Sequence, residues 1–339
     1  MHKLATSATI AVAIMLLAPA ALAQPVDFAG KPMRLYIGFG PGGGYDTYGR
    51  LVARHIGRHL PGNPTVVPQN MPGAASLTLA NFLANTAPRD GTALAILNQA
   101  MPTEQFLIDK NMKYDANAFN WIGRVSSTVE MAIVWHTVPV DRIEDVRKRE
   151  TIMGGTGPAS STVMMPYLLN NLAGMKFKVI TGFNGTTEIA LAMERGEVEG
   201  SATPLESLTS YRADWVRDKK IKILVQYTAE RDPEVAAVPA MVELGATEEA
   251  RQILRFYASG AEIGRAIAAP PGLPAAVTTA LRRGFDAMLA DPVFLADMKK
   301  AGLPLKPWTG ERLQQAVADV AKFPPAMIAK AKVARERPN

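Results

Sequence analysis

The chain has 339 residues, of which 48% are hydrophobic, contains no cysteine and carries a formal net charge of +6. Such a chain can bury a core large enough to fold without disulfides, and its length favours two domains. The longest basic run, 147–149, is flanked by acidic residues, so no basic stripe indicates nucleic acid as a partner. The mild positive charge suits an anionic small molecule or ordinary solubility.

The first 23 residues have the parts of a secretory signal peptide. Lys3 supplies the positive charge, 8–18 is apolar, and 21–23 reads Ala-Leu-Ala, a cleavage signal. The apolar run is too short to span a bilayer as a helix. We therefore expect cleavage near Ala23-Gln24 and export of the remainder, with no lipid anchor because no cysteine follows.

Strand and helix patterns then alternate along the first third of the chain. In chain order we predict strand 33–39, helix 46–60, strand 65–67, helix 76–85 and strand 93–97. Asp46 stands where the N-cap of the first helix belongs. Three strands with intervening helices imply a parallel sheet with helices packed on it.

The same alternation continues to the C-terminus. We predict strand 129–135, a helix capped by Asp141, strand 151–153, helix 163–172, strand 177–180 and helix 188–195, then helices 274–289, 292–301 and 311–321. Small polar loops follow the strands that end at 153 and 180. These loops repeat the arrangement of strand, polar loop and helix found near the N-terminus.

The loop at 40–44 consists entirely of glycine and proline between a strand and a helix. Such a loop directs backbone N–H groups at an anion. Residues 38–43 also match G-x-G-x-x-G, but a dinucleotide site needs an acidic residue about 20 positions later. Residues 58–70 contain neither Asp nor Glu, and no Gly-Lys-Ser/Thr follows the loop, so neither nucleotide motif is completed.

Catalytic and metal motifs are poorly supported. The sequence has no G-x-S-x-G elbow and no cysteine nucleophile. His55 and His59 are four residues apart on a predicted helix, but no third ligand completes a metal site, and we expect both to flank a solvated edge. What remains is a set of Gly-, Ser-, Thr- and Asn-rich loops at the carboxyl ends of strands, where open α/β sheets bind ligands. Their N–H groups, hydroxyls and helix dipoles can hold a carboxylate.

Ordered motifs over nearly the whole chain resemble those of the substrate-binding receptors of tripartite tricarboxylate transporters, the Bug-type periplasmic receptors. They are G-P-G-G-G-Y-D at 40–46 with Arg50 following, Q-N-M-P-G-A at 69–74, A-P-R-D-G-T at 87–92, G-T-G at 155–157, M-E-R-G-E-V-E-G at 193–200, Val238-Pro239 with Glu243-Leu244-Gly245, and A-P-P-G-L-P at 269–274. Each motif alone is weak, whereas the ordered combination is specific.

The resemblance implies an α/β, two-lobed type II periplasmic binding protein fold with a hinge and an interlobe cleft. The first lobe would comprise 25–126 plus 230–339, and the second lobe 127–229. The family's role would make the chain a monomeric periplasmic receptor, without catalysis, cofactor or metal. It would capture a small organic carboxylate and deliver it to integral membrane transporter subunits.

The resemblance also places ligand-binding residues by position in loops of both lobes. Those of the first lobe are Pro41, Gly42, Gly43, Gly44, Tyr45, Asp46, Gly73, Ala74, Ala75, Ser76, Asn98 and Gln99. Those of the second lobe are Thr156, Gly157, Ser160, Ser161, Thr162, Asn184, Gly185, Thr186, Thr187 and Glu206.

Ala75 and Tyr45 depart from the family pattern, and Tyr45 and Asp46 leave alternatives open. Ala75 stands where the family has glycine, and Tyr45 where it has a small residue, so Tyr45 either stacks on a ligand ring or narrows the cleft. Asp46 either caps its helix or accepts from an amide or amine of the ligand.

An extracytoplasmic sensor that reports to a signalling protein is an alternative function. An exported α/β enzyme is a second, but no nucleophile–base pair can be assembled for it.

Overall fold

The structure is a computed structural model that describes residues 26–108, 112–157, 160–183 and 185–337. The predicted signal peptide and Asn184 lie outside these residues. The strands are β1 (Met33–Ile37), β2 (Val66–Asn70), β3 (Ala93–Ile96), β4 (Asn120–Arg124), β5 (Glu130–Trp135), β6 (Thr151–Gly155), β7 (Phe177–Thr181), β8 (Gly200–Pro204), β9 (Ile221–Gln226), β10 (Ala266–Ala269) and β11 (Trp308–Thr309). The α-helices are α1 (Gly44–Ile56), α2 (Leu77–Asn85), α3 (Met101–Glu104), α4 (Ser161–Ala173), α5 (Thr186–Glu194), α6 (Ala213–Arg217), α7 (Glu248–Ile263), α8 (Ala275–Leu289), α9 (Pro292–Lys300), α10 (Gly310–Val320) and α11 (Pro325–Ala334).

The first sheet has the strand order β11-β4-β10-β3-β1-β2. Its strands β1, β2 and β3 are parallel, which confirms the prediction for this part of the chain. Strand β10 is antiparallel to both β3 and β4, so the sheet as a whole is mixed. The side chains of Leu35, Ile37 and Ile96 are fully buried, as expected for strands covered on both faces.

The second sheet has the order β7-β6-β8-β5-β9. Strand β6 is parallel to β7 and β8, whereas β5 runs antiparallel to β8 and β9. The strands of this sheet come from 130–226, and those of the first sheet from 33–124 and 266–309. The structure is therefore α/β with two sheets, as predicted, while the lobe boundaries themselves stay a prediction.

The two sheets share one continuous hydrophobic core. Buried side chains of α7, among them Leu254 and Phe256, join a cluster that includes Leu168 of α4 and Val134 of β5. The sequence predictions missed α7, although Thr247 caps it by accepting a hydrogen bond from the Ala250 N–H at 3.1 Å. Helix α7 packs against helices α3, α4, α10 and α11, and its buried side chains belong to the same cluster as residues of both sheets.

Two predicted helix starts are wrong. Helix α1 begins at Gly44 with Gly43 as its N-cap, so Asp46 lies inside the first turn. The segment after Asp141 is a short 3₁₀-helix, Ile143–Arg147, whose N-cap is Arg142. In both cases the acidic side chain was taken as the cap because Asp is favoured there. An acidic residue in the first turn is equally favourable to the helix dipole, which explains why Asp46 was misplaced.

Candidate functional site

A cavity of about 420 Å³ lies where edges of the two sheets face each other. The carboxyl ends of β1, β2 and β3 point to it from the first sheet, and those of β6, β7, β8 and β9 from the second. Because β5 and β10 are antiparallel to their neighbours, their amino ends lie at the same edges. Both sheets therefore contribute loops and strand starts to one enclosed space.

The N-termini of three helices line this cavity. They begin after Gly43 (α1), Ser160 (α4) and Gly185 (α5). The two glycines have no side chain to cap their helices, and the Ser160 side chain makes no capping hydrogen bond to α4. The first N–H groups of an α-helix have no carbonyl partner within the helix. Three sets of N–H donors and three positive dipole ends thus meet at one space.

Hydroxyl groups hold the loop before α4 in place. The Thr156 N–H donates to Thr162 Oγ1 at 3.0 Å, and Thr156 Oγ1 donates to Ser160 Oγ at 2.8 Å. Ser160 Oγ in turn lies 2.6 Å from Thr162 Oγ1 and donates to the Gly157 carbonyl at 2.8 Å. This network fixes the loop shape while the N–H groups at the helix start still face the cavity.

The ring of Tyr45 is covered on both faces by the protein itself. It stacks on Phe39 with ring centroids 4.4 Å apart, and the guanidinium carbon of Arg265 lies 4.0 Å from its centroid. Its hydroxyl accepts the Gln99 N–H at 3.0 Å. Burial raises the pKa of Tyr45 to about 12, against the opposing charge of Arg265. Tyr45 therefore narrows the cavity and has no free face for a ligand ring.

The carboxylate of Asp46 is occupied by groups of its own lobe and does not line the cavity. It accepts from the Gly42 N–H at 3.0 Å, from Arg50 Nε at 2.9 Å and from Asn70 Nδ2 at 2.8 Å. Burial raises the pKa of Asp46, but the hydrogen bonds from Arg50, Gly42 and Asn70 outweigh it and the net shift is downward. Asp46 thus ties the glycine loop to α1 and β2 rather than facing a ligand.

Replacing Asp46 with asparagine is expected to lower the free energy of unfolding by about 2 kcal/mol at pH 7, because charge-assisted bonds are lost from a side chain only 7% exposed. Since its pKa is lowered on folding, this contribution is present above about pH 4 and is lost as the pH falls through the folded value. Urea unfolding at pH 7 and pH 3 measures the difference. The exposed Asp218→Asn is the control, and we expect it to leave the free energy of unfolding nearly unchanged. Equal losses in both variants would contradict the assignment.

The loop that follows β2 is strained. Ala74, Ala75 and Ser76 have φ values of 45°, 53° and 81°, in the left-handed region that side chains disfavour. Gly73, Ala74 and Ala75 line the cavity, whereas Ser76 is fully buried beside Gly38, where a Cβ would lie 1.8 Å from Ser76 Oγ. Ser76 therefore fills the space beside a strand end and is not a cavity residue.

Ala75→Gly is expected to raise the free energy of unfolding by about 0.5–1 kcal/mol, because relief of the left-handed strain exceeds the added backbone entropy of glycine. Ala84→Gly inside α2, where φ is helical, is the matched control and should lower it by about 0.5–1 kcal/mol. Chemical denaturation measures both. A loss of stability in Ala75→Gly as large as in the control would show that the loop carries no such strain.

A buried ion pair joins the two sheets at the cavity wall. Arg265, directly before β10, donates through Nη2 to Glu206, two residues after β8, and their side chains are 1% and 3% exposed. A Cβ on Gly44 would lie 3.0 Å from Arg265 Nη2, so only glycine lets the pair approach the start of α1 so closely. Burial lowers the pKa of Arg265, but the Glu206 carboxylate outweighs it, and the guanidinium stays charged. Arg265 lines the cavity, while Glu206 lies behind it.

Sequence reasoning missed two charged residues of the lining, Arg265 and Glu130. Each stands at the amino end of a strand that is antiparallel to its neighbours. The search had followed the carboxyl ends of strands, as is appropriate for a parallel sheet. The sequence signal that could have identified them is a charged residue next to an apolar strand, such as Arg265 before 266–269.

The structure brings most of the predicted site residues together. Those that line the cavity are Pro41, Gly43, Gly44, Tyr45, Gly73, Ala74, Ala75, Asn98, Gln99, Thr156, Gly157, Ser160, Ser161, Thr162, Gly185, Thr186 and Thr187. Asp46, Ser76 and Glu206 lie outside the lining, and Gly42 lines a neighbouring cavity of about 60 Å³. Asn184 lies outside the described residues.

The prediction that both helix histidines flank a solvated edge is wrong for His55. It is 1% exposed, and its Nε2 lies 2.9 Å from Asp297 of α9. His59 Nε2 similarly lies 2.9 Å from Asp291. These pairs connect the segment 55–59 to α9. Within the described residues no group of three His, Cys, Asp or Glu side chains could hold a metal ion.

Two sheets whose edges enclose a helix-lined cavity define a two-lobed α/β solute-binding protein. Solved structures share this fold. The periplasmic binding protein BugD is 22% identical, with a TM-score of 0.69 over 91% of this chain and 99% of BugD. An R. palustris protein solved with adipate is 20% identical, with a TM-score of 0.68 over 90% of this chain and 98% of that protein.

The family is shown at the level of sequence. The sequence model of the family described as the tripartite tricarboxylate transporter family receptor matches residues 49–332 of this chain. The UPF0065 protein in the gbd 5' region of Cupriavidus necator is 28% identical over 240 residues, which are 69% of this chain and 70% of that protein. The chain therefore belongs to the tripartite tricarboxylate transporter receptors. Among the described residues no helix is both long enough and apolar enough to cross a membrane.

Proposed function

We propose that this chain is a monomeric periplasmic receptor that captures a small organic carboxylate between its two sheets and delivers it to integral membrane transporter subunits. The observation that carries the proposal is the meeting of three helix N-termini at one cavity. Helix N-termini bind anions through backbone donors and dipoles.

The strength of such a site is adequate for a transport receptor. Each charge-assisted hydrogen bond contributes roughly 1.5–3 kcal/mol, and each helix dipole about 0.3–1, up to ~2 when partly buried. A micromolar affinity requires about 8 kcal/mol net. Four to six contacts from the three helix starts would reach roughly this value after the costs of ordering the ligand.

Arg265 adds a charged donor group to the same lining. Its Nε and Nη1 atoms are buried without a hydrogen-bond partner among the described residues. A ligand oxygen is the kind of acceptor that would satisfy them. The R. palustris protein solved with adipate, which shares the fold, supports a carboxylate as the ligand class.

The test combines identification and titration. Mass spectrometry of small molecules released from the purified protein identifies what it carries, and calorimetry measures binding of succinate, glutarate, adipate and their amino and amide analogues. We expect at least one carboxylate to bind with a micromolar or lower Kd. Absence of binding across the panel, together with release of a ligand that has no carboxylate, would contradict the proposal.

A further inference from the structure

The cavity contains buried acceptor atoms to which the described part of the chain donates no hydrogen bond. They include Glu130 Oε2 and Gln99 Oε1, and the Tyr227 hydroxyl is likewise without a partner. All three residues line the cavity. Buried polar atoms are almost always satisfied in folded proteins, so these atoms indicate what a ligand supplies. Carboxylate and amide oxygens accept, and they therefore require a donor.

The charges of the wall do not cancel. Arg265 is the cation of the lining, and it is already paired with Glu206 behind it. Glu130 is then an additional, half-buried carboxylate with one fully buried oxygen, and no further cation of the described lining neutralises it. An uncompensated buried charge is costly, and a bound group of opposite sign or a strong donor removes that cost.

The backbone of Glu130 is held in place, while one oxygen of its carboxylate has no hydrogen-bond partner in the described part of the chain. It is the first residue of β5, with its backbone fixed because its carbonyl accepts the Tyr227 N–H at 2.7 Å. The Ser161 hydroxyl, at the start of α4, interacts with the carboxylate and lowers its pKa. Burial raises the pKa of Glu130, opposed by the Ser161 hydrogen bond and the charge of Arg265, while the charge of Glu206 adds to the rise. A donor from the ligand would favour the ionised form.

We propose that Glu130 determines the ligand class by accepting a hydrogen bond from a nitrogen donor, an ammonium or amide group, on a ligand whose carboxylate lies at the helix N-termini. This inference rests on the proposed function and narrows it. A simple dicarboxylate would place a second negative charge in a cavity that already contains the Glu130 carboxylate, and like charges at short range disfavour each other. A carboxylate that also carries nitrogen supplies both an acceptor for the helix starts and a donor for Glu130.

The probes are matched in chain length and differ in one terminal group. They are succinate, glutarate and adipate, their monoamides, and 4-aminobutanoate, 5-aminopentanoate and 6-aminohexanoate. Calorimetry at pH 7 on the full exported chain measures each Kd. We expect the best nitrogen-bearing probe to bind roughly tenfold or more tightly than the dicarboxylate of the same length.

Glu130→Gln tests the residue itself. The amide keeps the size of the side chain but removes its charge. We expect the preference for the nitrogen-bearing probe to fall roughly ten- to hundredfold, with binding of the dicarboxylates unchanged or tighter. Glu197→Gln is the matched control, because it makes the same charge change on a side chain that is 55% exposed, and we expect its binding to equal that of the unmodified chain.

The results test separately the role of Glu130 and the proposed carboxylate-receptor function. A dicarboxylate preferred by the unmodified chain, or a preference that Glu130→Gln leaves unchanged, overturns the assignment of Glu130 and leaves the carboxylate receptor standing. Binding of no probe, together with release from the purified protein of a ligand that has no carboxylate, overturns both. If Glu130→Gln unfolds at a lower temperature than Glu197→Gln, the preference ratio of the two probe classes in the folded fraction still gives the answer, because a ratio does not depend on the amount folded.

Discussion

Gly43→Val is expected to weaken carboxylate binding by about two orders of magnitude or more while changing the free energy of unfolding by only about 1 kcal/mol. Gly43 is the N-cap of α1 and lies in the cavity wall, with φ −94° and ψ 173°, a conformation that valine adopts without strain. A Cβ at this position has no atom within 4 Å among the described residues. The valine side chain would therefore occupy ligand space and leave the packed core undisturbed. Calorimetry and chemical denaturation on the same preparation separate the two effects.

Two further variants make the result specific. Gly185→Val places the same side chain at the N-cap of α5, on the opposite sheet, where a Cβ is equally free, and it should weaken binding comparably. Thr309→Val places valine at the N-cap of α10, away from the cavity, and should cost about 1 kcal/mol of stability without affecting binding. Tight binding that survives both glycine substitutions would show that the ligand site lies elsewhere.

Arg265→Met is expected to lower the free energy of unfolding by about 3–5 kcal/mol, because it leaves the Glu206 carboxylate buried without a counter-charge. The same change removes the guanidinium from the face of Tyr45, 4.0 Å away. The pair connects a strand start of the first sheet with a strand end of the second, so its loss weakens a contact between the sheets. Urea unfolding, followed by tryptophan fluorescence, measures the change.

A double-mutant cycle separates the interaction between Arg265 and Glu206 from the other contacts that Arg265 makes. Adding Glu206→Gln to Arg265→Met removes the unpaired charge, and we expect the double variant to recover at least about 2 kcal/mol relative to the sum of the single variants. Arg217→Met breaks the exposed pair with Asp218 and should leave the free energy of unfolding nearly unchanged. A coupling free energy near zero would mean that the two buried charges do not depend on each other.

The loops that line the cavity could be read from the sequence because their signals are local. Glycine runs, a hydroxyl-rich segment and the alternation of strand and helix each depend on residues close together in the chain. In a parallel arrangement the carboxyl ends of strands meet at one edge, so each of the loops 40–45 and 156–162 could be expected at the binding edge of its own sheet, and the family resemblance placed the two loops at one site. The family resemblance, carried by short motifs in sequence order, is local in the same sense and is confirmed over 49–332.

The interpretation of individual side chains failed where partners come from distant parts of the chain. Asp46 was taken as a cap or a ligand group, yet Asn70, which is 24 positions away, helps to occupy it. Tyr45 was left between two roles until Phe39 and Arg265 were seen to cover its ring. His55 was placed at a solvated edge, but it is buried against Asp297 from near the other end of the chain.

By itself the sequence determined the class of the fold, the family and the backbone loops of the anion-competent cavity, because these depend on local conformational preference and on motif order. Only the tertiary structure decided which charges stand in the cavity wall. Arg265 and Glu130 enter it because β10 and β5 run antiparallel to their neighbours, and strand direction is set by long-range packing rather than by local sequence. The charge balance of the cavity, and with it the ligand that the site favours, therefore depends on how distant segments meet.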